Sequence, residues 1–234
     1  MSVAKRAEVY IGARQNKKPG PQNAPYPAGA IKVDVTSCQV PRNHPNRVAF
    51  SPMHIHDGQT YTDPAGYEWS CFENAWQSGK VWCDENGKEV PHNLTWKKWH
   101  RRPLDKAHRK LSAFFAKAKK WTVATSLFPE DPGHRFGYVE SRKRVYVPRY
   151  EAFVMDRPDS RETMQGLQEL VRGQNRPIVI FDLDGPRTPE GEMECLKVTP
   201  ELLRERIHDV RFAFGHGYVV AAMAAGIPSS EYCA

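Results

Sequence analysis

Residues 177–183, PIVIFDL, give the strongest fold signal in the chain. A continuous apolar run this short, bounded by Pro177 and by Gly185 just beyond it, reads as a buried β-strand. Helical patterns surround it. Ser160–Arg172 sets Met164, Leu167 and Val171 on one stripe. Pro200–Val210 is a helix with Thr199 as its N-cap, and Gly217–Gly226 is a last, Ala-rich helix. The chain has 234 residues, 40% hydrophobic and 26% charged, which is ample for a buried core and excludes wholesale disorder. The expected fold class is α+β, a helix-rich single domain with a few short strands.

Upstream the pattern is less regular. Asn16–Gly29 holds four prolines and two glycines, which break helix and strand. Residues 1–29 are therefore expected to be a flexible basic N-terminal arm, and residues 30–234 one folded domain. Ala30–Val35 alternates like a strand, and Val48–Ile55 and Arg144–Tyr150 read as extended. Asp57-Gly58 marks a turn, and Pro129–Gly137 a loop. Asp105–Trp121 reads as a helix with an apolar stripe and a Lys/Arg face.

Composition narrows the partners. Lys and Arg number 34 against 27 Asp and Glu, a net charge of +7, which favours anionic partners such as nucleic acid or phosphorylated small molecules. The longest apolar segment, Tyr218–Ile227, is about half of the ~20 residues that span a bilayer. The N-terminus lacks an apolar secretory segment. A cytoplasmic location is expected, with the five cysteines as reduced thiols. They form no CxxC pair, and His54 and His56 have no third ligand at useful spacing, so no metal and no redox cofactor is expected.

The most informative constellation lies in Tyr67–Cys83, expected to be a helix that begins near Ser70 with Glu73 completing a capping box. Glu73, Trp76, Gln77 and Lys80 then share one face, at i, i+3, i+4 and i+7. A carboxylate can stabilise developing positive charge, an indole can stack on a base, and a lysine can hold a phosphate. As a bare pattern this is equally a solvated face.

The segment Phe50–Lys80 resembles the NADAR (YbiA-like) family. The matching residues are Phe50, Ser51 and Pro52, then Asp57, Gly58 and Tyr61, then the ungapped E-x-x-aromatic-Q-x-x-K element at Glu73, Trp76, Gln77 and Lys80. The segment Thr62–Trp69 is longer than usual, and Asn74 stands where the family commonly has His. The resemblance implies a NADAR-like fold and an N-glycosidase that hydrolyses a ribose–base bond in a phosphorylated nucleoside-like substrate or in ADP-ribosylated nucleic acid. It makes Glu73 the catalytic carboxylate. Family members also use a tryptophan and an aspartate further along the chain, which the match does not assign.

Other candidates come from local chemistry. Asp182 and Asp184 end the buried strand in FDLDGPR, where strand alternation would send both to one face; either could be the second carboxylate. The same run resembles the first motif of haloacid-dehalogenase-type phosphatases. The 50 residues after Asp184 are too few for that fold, and Pro186 replaces its Thr. Arg187 is a candidate for holding phosphate. His216, flanked by Gly215 and Gly217, could face an anion at a helix N-terminus. Trp96 and Trp99, interleaved with Lys97, Lys98, His100, Arg101 and Arg102, suit a base-and-phosphate surface. Two other functions fit these features: a non-enzymatic nucleic-acid-binding protein using the basic and aromatic surface, or an enzyme that modifies or transfers a DNA base.

Overall fold

A computed structural model describes residues 6–15, 21–37, 41, 43–54, 60–89 and 122–234. In chain order the strands and helices are β1 (Val9–Ala13), β2 (Ile31–Asp34), α1 (Pro45–Phe50), β3 (Tyr61–Thr62), β4 (Glu68–Trp69), α2 (Phe72–Ser78) and β5 (Lys80–Cys83). There follow β6 (Thr122–Phe128), β7 (Asp131–Phe136), α3 (Tyr138–Ser141), a π-helical turn (Arg142–Tyr146), α4 (Val147–Met155) and α5 (Pro158–Gly173). The last are β8 (Ile178–Asp182), β9 (Cys195–Lys197), α6 (Pro200–His208) and α7 (His216–Ala225). The chain thus mixes helices and strands, as expected. It divides into two compact units, Met1–Ser51 with Arg142–Ala234, and Pro52–Ser141.

The first unit is built on a four-stranded sheet in the order β2–β8–β1–β9. β1, β2 and β8 are parallel, and β9 runs antiparallel to β1. β8 is the apolar run seen in the sequence, and each of its five residues is buried. β1 corrects the expected arm. Val9, Ile11 and Ala13 are buried, and the strand sits between β8 and β9, where an alternating apolar face has covered surface to fill. Gly12 lies opposite Phe181, and a β-carbon there would stand 2.6 Å from the Phe181 ring, so only glycine admits that ring.

Helices cover the sheet. α7 packs on β1 and β8, and its sequence is small and apolar enough to be buried over most of its surface. It ends at Gly226, whose φ of +67° is the left-handed cap that glycine adopts without a steric penalty. α5 buries Met164, Leu167 and Val171, the expected stripe. Thr199 caps α6, its Oγ1 accepting the Leu202 N–H at 3.2 Å.

Of two segments expected to be extended, Val48–Phe50 at the start of one and the whole of the other are helical. Pro45 starts α1, where its missing N–H is no loss, and the His44 ring accepts the Asn46 N–H at 3.2 Å. Residues 144–150 belong to the π-turn and to α4, which run on without a break from α3, with Pro148 near the start of α4.

The second unit holds the antiparallel sheet β5–β6–β7, the short hairpin β3–β4 and α2. β7 occupies part of the expected loop at 129–137. Asp63 organises the hairpin: Oδ1 accepts the N–H groups of Ala65 and Tyr67 at 3.0 Å each, and Oδ2 accepts the buried Trp69 indole N–H at 2.9 Å. The expected turn at Asp57-Gly58 and helix at Asp105–Trp121 lie outside the described residues. Among the described residues no helix is long and apolar enough to cross a membrane.

Candidate functional site

The helix carrying the E-x-x-W-Q motif is shorter than its sequence suggests. α2 begins at Phe72 with Cys71 as N-cap, and Ser70 instead accepts a hydrogen bond from the Asn74 amide. It ends at Ser78, so Lys80 opens β5, paired opposite Ser126, and leaves the helical stripe. Glu73, Trp76 and Gln77 remain together, all half-buried. Glu73 is anchored at both ends. Its N–H donates to the Pro52 carbonyl at 2.8 Å, and its Oε1 accepts from Gln77 Nε2 at 2.7 Å.

Trp76 has one face occupied. It stacks on Phe128 of β6 with ring centroids 5.6 Å apart and planes 16° from parallel. Gly79 makes room for that ring, since a β-carbon there would lie 2.3 Å from Phe128 Cε1. Beside the motif, burial pushes the Cys71 thiol up to about 12, so it is an inert, protonated group at neutral pH.

The second candidate cluster belongs to the other unit, at the carboxyl end of β8. Asp182 is buried and fully engaged. Its Oδ1 accepts the Leu183 N–H at 2.7 Å and its Oδ2 the Gly217 N–H at 2.9 Å. His216 Nδ1 lies 3.3 Å from the same Oδ2. His216 Nε2 is 2.7 Å from the Val35 carbonyl, which can only accept, so Nε2 is the donor there. The anion expected at the N-terminus of α7 is therefore the protein's own Asp182 carboxylate.

Asp184 is exposed, in the turn after β8. The two aspartates meet through that turn, not through strand alternation, because β8 ends at Asp182. The position of a β-carbon at Gly215 is 3.0 Å from Oδ2 of each, which bounds their separation at twice that distance. Arg187 spends its guanidinium on carbonyls, donating to Arg14 at 3.1 Å and to Leu183 and Gly191 at 3.3 Å each. It ties the 183–191 loop to the end of β1. Trp96 and Trp99 lie outside the described residues.

One polar group at this edge escaped the sequence reading. Arg14 and Asp34, at the ends of β1 and β2, form an ion pair, and Asp34 Oδ1 also accepts the Thr36 N–H at 2.9 Å and its hydroxyl at 2.6 Å. The alternation of Val9, Ile11 and Ala13 was the signal that would have placed Arg14 at a strand end. Among the described residues no three His, Cys, Asp or Glu side chains gather as a metal site. No protein-family model, no curated protein and no solved structure matches the chain.

Proposed function

We propose that this chain is a divergent NADAR-like N-glycosidase of the cytoplasm, hydrolysing a ribose–base bond in a phosphorylated nucleoside-like or ADP-ribosylated substrate without metal or cofactor. The observation that carries the reading is Glu73: a half-buried carboxylate held in one orientation beside Trp76, in the motif that resembles the family. Glycosidic cleavage builds oxocarbenium character at the sugar, and a fixed carboxylate stabilises it far better than a mobile one in water. As the C1–N bond breaks, a water oxygen bonds to C1. The water's proton passes to Glu73, and the departing nitrogen takes a proton from solvent. The Trp76 indole would stack the leaving base. The net charge of +7 suits a substrate carrying phosphates.

The test is release of base. Wild-type protein and Glu73→Gln are incubated with ADP-ribosylated DNA and with phosphorylated purine and pyrimidine ribosides, and products are followed by mass spectrometry. Free base or free ADP-ribose from wild type alone is the expected result. Absence of release from all of these substrates, together with tight DNA binding that weakens steeply with salt, would replace the enzyme by a nucleic-acid-binding module.

A further inference from the structure

Gln77 holds Glu73 at the expense of its own carbonyl. Its Nε2 donates to Glu73 Oε1 at 2.7 Å, while its Oε1 is buried and has no hydrogen-bond partner among the described residues. Exchanging the two ends of the amide would set its oxygen against a carboxylate oxygen, two acceptors face to face, so Glu73 fixes which way the amide points. The orphaned oxygen is destabilising, since a buried acceptor without a donor keeps its full desolvation penalty. Methionine or leucine would fill the same space without that penalty. Native structures leave few polar groups in this state, and each asks for a reason.

We infer that Gln77 is a positioning residue for Glu73, an inference that rests on the N-glycosidase reading. The two side chains stand at i and i+4, the spacing that brings them together on α2. The turn that carries Gln77 is itself held by the Trp76–Phe128 stack and by the close approach of Phe128 to Gly79. With Oε1 of Glu73 tied down, the rotamer is set, and Oε2 would be the oxygen that takes the water's proton. Gln77 thus contributes to the reaction through the geometry of Glu73, and not by contact with the sugar or by holding phosphate.

The experiment compares Gln77→Met, Gln77→Lys and Gln77→Glu with wild type, using an ADP-ribosylated DNA oligonucleotide as substrate. Gln77→Met removes donor and acceptor at nearly constant volume. Its kcat is expected to fall by about tenfold or more, with KM within about twofold. Its thermal midpoint is expected to be equal or higher, because the unmet acceptor is gone. Gln77→Lys keeps a donor within reach of Glu73 and should recover most of kcat; Gln77→Glu places like charges together and should be slowest. A Gln77→Met protein that turns over at the wild-type rate would overturn the inference and leave the glycosidase standing. So would a lowered midpoint with kcat unrescued by lysine, which would mark a structural role. A wild-type protein that releases nothing from this substrate or the ribosides would overturn both.

Discussion

Gly217 donates its backbone N–H to Asp182 Oδ2 at 2.9 Å, and a β-carbon at Gly217 would come within 2.4 Å of Asp182 Cβ. The glycine is where it is because the aspartate is beneath it. This contact fastens the first turn of α7 to the end of β8, and it puts a negative charge at the positive end of the helix dipole. Gly217→Ala is expected to destabilise the protein by about 2 kcal/mol or more through overpacking. Asp182→Ala is expected to cost about 3 kcal/mol, since it leaves buried N–H groups unmet. Chemical denaturation measures both. An Asp182→Ala protein of wild-type stability would show that the carboxylate is not a structural lock.

Arg142 is a buried cation whose visible partners are carbonyls. It donates to Ile207 at 3.1 Å, Asp209 at 3.0 Å and Phe212 at 2.6 Å, closing the end of α6 and the turn after it. Only a planar, five-donor guanidinium can reach three such acceptors at once. Arg142→Met is expected to lower stability by about 3 kcal/mol. Arg142→Lys should recover less than half of that, because an ammonium cannot span the fork. Equal urea midpoints for lysine and arginine would refute this account.

Much of the first unit was legible because its signals are local. An apolar run marks β8, Thr199 marks the start of α6, and a 3.6-residue stripe marks α5. β1 was not, because five residues between basic and Pro-rich stretches become a central strand only through pairing with β8, far along the chain. β7 carries no apolar alternation and is ordered by pairing with β6. The site divides the same way. The Glu73–Gln77 relation follows from spacing alone, whereas the loss of Lys80 required knowing that the helix stops at Ser78. Asp182 shows the deeper limit. A strand-end carboxylate reads the same in sequence whether it faces a ligand or caps a helix.

Tyr232 and Tyr150 separate two fates of a buried hydroxyl. Both rings are fully buried. Tyr150 donates to the Phe50 carbonyl, whereas Tyr232 Oη has no hydrogen-bond partner among the described residues. Removing a bonded hydroxyl strands its acceptor; removing an unbonded one relieves a desolvation penalty. Tyr150→Phe is expected to lower stability by about 1–2 kcal/mol. Tyr232→Phe should leave it unchanged or raise it by up to about 1 kcal/mol. Thermal midpoints of the two variants check the contrast, and a destabilised Tyr232→Phe would mean that the hydroxyl has found a donor or acceptor in solution.

Burial raises the Cys71 thiol from 9.0 to about 12, and this fixes the sign of an alkaline transition. Below pH 9 the thiol is protonated in both folded and unfolded chains and its contribution to stability is constant. Above pH 9 the unfolded chain releases the proton while the folded one keeps it. The folded state then binds more protons, so stability falls as pH rises towards 12. By pH 10 the loss is about 1.4 kcal/mol from this residue. Cys195 and Cys233, raised by burial to about 11 and about 12, act in the same direction from more exposed positions. Arg157 opposes them at higher pH, since burial lowers it to about 10, and the comparison is therefore made between pH 8 and 10. Cys71→Ser keeps a small side chain at the N-cap of α2 and supplies the hydroxyl that this position favours. Its thermal midpoint at pH 7 should stay within a few degrees of wild type, on the order of 1 kcal/mol. Its decline between pH 8 and 10 should be shallower by the share of one proton. A decline as steep as that of wild type would mean that the Cys71 thiol ionises at the same pH in the folded chain as in the unfolded one.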